Sequence, residues 1–200
     1  MLTSCDVIAD DRIQEKLFTR YRSKLDELRC EGFEFEGIVA TTHSVFLLPL
    51  AVVFGLLGRE IQSVNAFGKV CWFHPLMRSA DGTTLVYPTG ISLRYYTFFE
   101  DGSTQRTSNG VGENSASYNS RCQLYQTNVT EKSVSRSWSN HAAFCAHRFA
   151  EGLRPVRLDE LTRFTTIQSE EDSPVGMLLL AGIGWVAPVV AVMATVARML

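Results

Sequence analysis

Two pairs of cysteine and histidine residues have spacings that suit metal ligands. Cys71 and His74 are three residues apart, and His141 and Cys145 are four residues apart. Side chains four residues apart lie on one face of a helix, and zinc is often held by thiolate and imidazole groups placed in this way. A metal ion bound there could activate water for hydrolysis. These four residues are therefore the candidate metal ligands of the chain.

Other uses of the same residues compete with metal binding. On a strand, residues three apart point to opposite faces, so Cys71 and His74 could share an ion only across a bend. Cys145 also belongs to an apolar helical stripe, where a buried thiol behaves as a small hydrophobic group. A disulfide of Cys122 with Cys145 or with Cys71 is an alternative if the domain faces an oxidising compartment.

No catalytic signature accompanies these pairs. The sequence contains no phosphate-binding glycine loop, no nucleophile elbow, no HExxH and no kinase motif. We therefore assign no catalytic residue and expect no cofactor.

The composition excludes several classes of protein. Of the 200 residues, 46% are hydrophobic, and 19 Lys and Arg residues against 21 Asp and Glu residues leave a net charge of -2. The apolar content is too high for a disordered chain, and the charge balance gives no support for nucleic-acid binding. Five irregularly spaced cysteines exclude a disulfide-dense scaffold.

Two long uncharged windows predict transmembrane helices. No charged residue occurs from Gly37 to Gly58 or from Ser173 to Ala197. A helix of about 20 apolar residues crosses the hydrocarbon core of a bilayer, so each window is long enough. Ala187 and Ala191 are four residues apart, a spacing that lets two membrane helices approach closely. The alternative is that both windows are buried core helices of a soluble domain.

The segments around these windows have recognisable patterns. Apolar residues at helical spacing, from Ile13 to Leu28, predict an amphipathic helix capped by Asp11, which we expect to pack on its own domain or pair with a partner helix. Three β-rich runs between residues 83 and 108, joined by two turns, predict an antiparallel meander. A polar loop over residues 108–117 and a helix over Trp138–Glu151 follow.

The expected fold class is an α+β membrane protein in which two transmembrane helices flank a small domain. That domain consists of an antiparallel sheet with C-terminal helices, and an amphipathic N-terminal helix precedes the first span. The predicted segments are a tail (1–36), a first transmembrane helix (37–58), the α+β domain (59–175), a second transmembrane helix (176–197) and a stub (198–200). We expect a multi-pass membrane location with both termini in the cytoplasm, because the charged tail carries no signal sequence.

This organisation indicates a function in protein binding or regulation, without catalysis. The expected partners are the lipid bilayer and either a second copy of the chain or another membrane protein, and no nucleic acid. Two alternatives come from other functional classes. One is a membrane-tethered metal-dependent hydrolase that uses the cysteine and histidine pairs. The other is a subunit of an oligomeric channel or transporter, which would depend on His43 and the glycines of the second span.

Overall fold

A computed structural model of the protein describes residues 3–44, 61–64, 69–89, 92–110, 114–157, 161 and 164–167. Within these residues nine strands form one sheet, accompanied by two helices and a single helical turn at residues 164–167. The strands are β1 (Thr3–Ile8), β2 (Phe33–Ser44), β3 (Ile61–Val64), β4 (Lys69–Ser79), β5 (Thr84–Pro88), β6 (Leu93–Phe98), β7 (Thr104–Asn109), β8 (Ser115–Asn119) and β9 (Leu124–Val129). The helices are α1 (Asp11–Cys30) and α2 (Val134–Ala150).

In the part of the chain that the structure describes, the sheet is mixed and its strand order has β1 and β8 at its two ends. Its order is β1-β2-β4-β5-β6-β7-β9-β8, and β3 also pairs with β4. All neighbours are antiparallel except β7 and β9, which are parallel. Because β2 pairs along one edge of β4, both β3 and β5 pair with the opposite edge.

A β-bulge at Glu36 decides which side chains of β2 face the helices. Phe35 lies opposite Met77 and Gly37 lies opposite Leu76, so Glu36 is the extra residue. An extra residue reverses the alternation of faces along the strand. Phe33 and Phe35 therefore contact the same core cluster as Ile38 and Ala40 further along β2. The bulged side chain forms a two-pronged ion pair with Arg78, at 2.8 Å for both contacts.

Helix α1 packs on the sheet as part of the same domain. The side chain of Asp10 accepts hydrogen bonds from the backbone N–H groups of Arg12 and Ile13, so the cap lies one residue before the predicted Asp11. The amphipathic helix itself is confirmed, and its buried residues are Leu17, Tyr21, Leu25 and Leu28. This face contacts β2, β4 and α2, so the helix does not form a tail separate from the sheet.

Two hydrophobic clusters occupy the two faces of the sheet. On the first face, α1 and α2 pack against side chains that include Phe33, Met77 and Tyr95. On the second face, Phe164 and Ile167 pack against side chains that include Leu85, Tyr96 and Phe98. Both faces of the central strands are therefore buried, which explains why their sequences carry few charges.

The predicted meander is confirmed as β5, β6 and β7. Its pairings are antiparallel throughout, with Tyr96 opposite Leu85 on one side and Arg106 on the other. Tyr96 and Phe98 of β6 are fully buried in the second-face cluster with Phe164. The ring of Phe164 lies edge-on to that of Tyr96, with centroids 5.3 Å apart.

The first predicted transmembrane helix is a strand over part of its length. Residues 37–44 belong to β2, which pairs with β1 on one side and β4 on the other. These two neighbours satisfy the backbone groups that a membrane helix would satisfy internally. Ile38 and Val39 are fully buried in the sheet, so their apolar character serves a protein core. Residues 45–58 and the second predicted span, 176–197, lie outside the described residues.

The predicted fold class, an α+β membrane protein with two flanking transmembrane helices, is therefore wrong. Neither α1 nor α2, the helices in the part of the chain that the structure describes, has the length and apolar character needed to cross a bilayer. The multi-pass location with cytoplasmic termini rested on the same two spans and is wrong as well. The physical reason is that a strand buried on both faces is as free of charge as a membrane segment.

Gly37 provides a test of the packing between β1 and β2. A Cβ atom at this position would lie 2.8 Å from Cγ1 of Val7. Because Val7 is β-branched and stiff, we expect Gly37→Ala to lower the free energy of unfolding by about 1–3 kcal/mol in urea denaturation.

The double variant Val7→Ala/Gly37→Ala removes the atom that would clash. Its destabilisation should be smaller than the sum of the two single costs by about 1 kcal/mol. Strictly additive costs would show that the clash does not determine the effect at Gly37.

Candidate functional site

A buried polar cluster joins α2 to the strands of the meander. The Nε2 atom of His141 lies 2.9 Å from Oγ1 of Thr97, and its Nδ1 atom lies 2.8 Å from Oγ1 of Thr107. The hydroxyl of Thr97 also bonds that of Thr84 at 2.7 Å. The Sγ atom of Cys145 lies 3.5 Å from the same Nε2 atom. The helical spacing of His141 and Cys145 therefore places them together, as the sequence predicted.

Aromatic rings enclose the imidazole on its flanks. The rings of Tyr95 and Trp138 stack on His141, with centroid distances of 5.4 Å and 5.8 Å. The cluster continues to Asn109, whose side-chain oxygen accepts a hydrogen bond from the backbone N–H of Leu93 at 2.7 Å. The side-chain nitrogen of Asn109 contacts the hydroxyl of Ser137 on α2. Hydrogen bonds and stacking thus hold α2 in one orientation on the sheet.

The face that α2 turns to the sheet differs from the predicted stripe. The helix begins at Val134, earlier than the predicted Trp138, and ends near Gly152, which has the left-handed φ of +87° typical of a helix stop. The predicted stripe consisted of Trp138, Ala142, Cys145 and Phe149, whereas the buried residues are Val134, Ser137, His141 and Cys145. Hydroxyl and amide groups of the strands satisfy Ser137 and His141, so polar residues occupy the core side.

The His141–Cys145 pair lacks the properties of a catalytic pair. Burial lowers the pKa of His141 from 6.5 to about 3, so the imidazole is neutral at physiological pH. Burial also raises the pKa of Cys145 to about 11, against a smaller lowering by a hydrogen bond to Thr97. A nucleophilic cysteine requires a thiolate and access to substrate. His141 is 0% exposed and Cys145 4%, so the pair is a structural element.

The four candidate metal ligands are not brought together. His74 is on the second face of the sheet, where its ring lies 5.4 Å from that of Tyr87, whereas His141 and Cys145 are on the first. The backbone of Cys71 belongs to β4, and its side chain lies outside the description. No group of three or more histidine, cysteine or acidic side chains that could hold a metal ion occurs among the described residues.

The alternative of a Cys122–Cys145 disulfide is wrong, because the thiol of Cys145 is free. The alternative of a Cys71–Cys122 disulfide stays a prediction, because the side chain of Cys71 lies outside the part of the chain that the structure describes. Cys122 precedes β9 near the second-face cluster, whereas Cys145 is on the helix that covers the first face.

A different part of the sheet has the features of an interaction surface. Strand β8, with the sequence Ser-Ala-Ser-Tyr-Asn, is the outer strand at one end of the sheet and pairs with β9. Its first four residues are exposed, and Tyr118 is 52% exposed. We refer to Ser115–Asn119 as the β8 edge. An outer strand presents a row of backbone donors and acceptors to any strand that approaches it.

The five residues of the β8 edge include neither the charges nor the proline that protect many outer strands. Lysine, proline and inward-pointing charges usually prevent a further strand from adding to an edge. Ser115–Asn119 contains no charged residue and no proline. By contrast β1, the outer strand at the opposite end, carries the exposed carboxylate of Asp6.

Beside the β8 edge, three side chains form a stacked unit. Tyr118 lies opposite Tyr125 of β9, and their ring centroids are 4.5 Å apart. The guanidinium of Arg148 on α2 lies 4.1 Å from the centroid of the Tyr125 ring. We refer to Tyr118, Tyr125 and Arg148 as the tyrosine platform.

Arg148 is itself held in place by polar neighbours. Its guanidinium donates to Glu151 at 2.6 Å and to the hydroxyl of Ser103 at 3.2 Å, and it lies 3.8 Å from Asp101. The arginine therefore connects α2, the loop before β7, and β9. This network fixes the guanidinium against the ring of Tyr125, which in turn contacts the ring of Tyr118.

This surface was not predicted from the sequence, because residues 108–117 have the composition of a polar loop. Serine and asparagine are depleted in strands, so Ser115–Asn119 gives little strand signal. The alternation of Ala116 and Tyr118 on one side with serines on the other was the available indication.

Comparison with protein-family models, with characterised proteins and with solved structures found no match to this chain.

The functions predicted for a two-span membrane protein are wrong, because they depended on the two predicted transmembrane helices. This applies to the domain presented by two membrane helices, to the membrane-tethered hydrolase and to the channel or transporter subunit. Residues 37–44 form a sheet strand, and no described helix is suited to crossing a bilayer.

The buried imidazole makes the stability of the fold depend on pH. Between about pH 6.5 and about pH 3 the unfolded chain binds one more proton at His141 than the folded chain. The contribution of the neutral His141 side chain to the free energy of unfolding is therefore fully present above about pH 6.5. Below that pH the free energy of unfolding falls by about 1.4 kcal/mol per pH unit.

We expect His141→Gln to remove this dependence, measured as the free energy of unfolding in urea at about pH 7, 6 and 5. His147→Gln is the matched control, because the side chain of His147 is 78% exposed. An unchanged pH slope in His141→Gln would contradict the role of the buried imidazole.

Proposed function

We propose that the chain is a non-catalytic protein-binding domain that takes up an extended polypeptide segment at the β8 edge. The observation that carries this proposal is an outer strand that is exposed along most of its length and free of charge and proline. In strand addition, backbone hydrogen bonds supply affinity and alternate side chains supply specificity. The β8 edge offers both, since Tyr118 projects beside its backbone groups.

The tyrosine platform supplies the side-chain part of the recognition. Tyrosine and arginine, together with tryptophan, are enriched among the residues that contribute most to binding at protein interfaces. Tyr118 is half exposed, whereas Tyr125 and Arg148 are held from below by α2 and its ion pairs. A rigid support reduces the entropy lost on binding, so an added strand gains more from its contact with Tyr118.

The chemistry of the described residues supports binding over catalysis. The cluster that combines an imidazole with a thiol is enclosed by the sheet and α2, and its pKa values suit neither a base nor a nucleophile at neutral pH. The β8 edge, in contrast, is accessible. This contrast favours a partner that binds at the surface.

A peptide selection tests the proposal. A display library of random peptides is selected on the wild-type chain and counter-selected on Ser117→Pro, because proline at an edge blocks strand addition. Synthetic versions of the selected peptides are then tested with alternate backbone amides methylated. We expect methylation on one edge of the peptide to weaken binding at least tenfold, since those amides bond to β8, and methylation on the other edge to have little effect.

Hydrogen exchange on the full chain locates the binding site. The selected peptides should slow amide exchange in Ser115–Asn119 and leave α1 unchanged. Ser139→Lys on the exposed side of α2 is the control for an added charge, and it should bind like wild type while Ser117→Lys binds at least tenfold more weakly. Protection confined to another element, or insensitivity to methylation on both edges, would overturn the proposal.

A further inference from the structure

We propose that the segment bound at the β8 edge is β8 of a second copy of this chain, paired antiparallel about a two-fold axis at Ser117. This inference rests on the proposed function, because it requires strand addition at that edge. It names the partner that the residues of β8 suit best.

The absence of charge makes β8 compatible with itself. In a pair with the two-fold axis at Ser117, a charge at residue 117 would face an identical charge, and a charge at residue 116 or 118 would lie diagonally opposite one. Ser115–Asn119 contains none. Two copies of β1 would instead bring the carboxylates of two Asp6 residues close together.

The side chains of β8 are also complementary in size. With the axis at Ser117, Tyr118 of each copy lies opposite Ala116 of the other, and Ser115 lies opposite Asn119. A large ring thus meets a small side chain at both positions, and the remaining pairs are polar and uncharged. Serine faces serine at the axis.

The tyrosine platform of each copy extends to the contact between the two β8 strands. Ala116 lies opposite Thr127 on β9, and Tyr118 lies opposite Tyr125, so all four side chains are on the face that carries α2. The Tyr118 ring of the second copy would cover Ala116 beside Thr127. Each copy thereby buries the exposed half of its tyrosine ring against the other.

The size of the contact sets the expected strength. Five residues pair on each side, which is at the small end of specific interfaces, so we expect a dissociation constant on the order of micromolar. The dimer should therefore form at high-micromolar concentration and dissociate on dilution. Sedimentation of the full chain over such a concentration range measures this directly.

Charge exchange at the axis is the decisive test. In Ser117→Lys homodimers two ammonium groups would face each other, and in Ser117→Asp homodimers two carboxylates would do so, with opposing Cβ atoms about 5 Å apart. We expect each variant alone to dimerise at least tenfold more weakly than wild type. An equimolar mixture should recover the dimer, because the two charges then attract. Recovery also shows that both variants are folded.

Cross-linking gives a second readout that does not depend on affinity. Opposing Cα atoms in an antiparallel pair are about 4.5–5.5 Å apart, which suits a disulfide. In a Cys30→Ser background, which removes the exposed thiol of Cys30, Ser117→Cys should form a covalent dimer on mild oxidation. Ser139→Cys in the same background is the matched control and should remain monomeric.

The outcomes separate this inference from the proposed function. A wild-type chain that stays monomeric at high-micromolar concentration, yet binds selected peptides at β8, would overturn the second-copy assignment and leave the protein-binding function in place. A dimer that persists in both charge variants and does not cross-link at Ser117→Cys would show that copies meet at another surface, and would overturn the assignment as well. A wild-type chain that neither self-associates nor binds peptides would overturn the proposed protein-binding function as well.

Discussion

The pairing of β2 with β4 is the constraint on which the rest of the fold depends. It is the longest ladder of the sheet, and its register places Phe33, Ile38 and Met77 where the helices cover them. The single extra residue at Glu36 lets one strand supply apolar side chains to the same layer before and after the bulge. Without it, the later half of β2 would turn its apolar residues to the opposite face.

Those parts of the fold that carry a local period could be predicted from the sequence. The apolar repeat of α1 and the alternation in β5–β7 identified both elements, because each follows one rule over its whole length. The charge-free window at residues 37–44 was misread, since charge is excluded both by lipid and by a sheet covered on two sides. A buried strand differs from a membrane helix in its pairing with distant strands, and that pairing cannot be seen in the local sequence.

The candidate site shows the same division between local and long-range information. Helical spacing correctly placed His141 beside Cys145, but it could not show that Thr97 and Thr107 would complete the imidazole's hydrogen bonds. Those partners come from strands far along the chain, and they convert a reactive-looking pair into a structural one. Whether β8 forms an edge depends on its position in the sheet. The weak strand propensity of its residues gives no indication of that position.

The attachment of β8 through a single ladder has a consequence for how the protein can change over evolutionary time. Strand β9 lies between β7 and β8, so β8 can detach without disturbing the central pairs or either hydrophobic cluster. Elements of this kind open locally at low cost. Substitutions in Ser115–Asn119 are therefore tolerated by the folded core, and new binding preferences can arise at this margin while the scaffold remains the same.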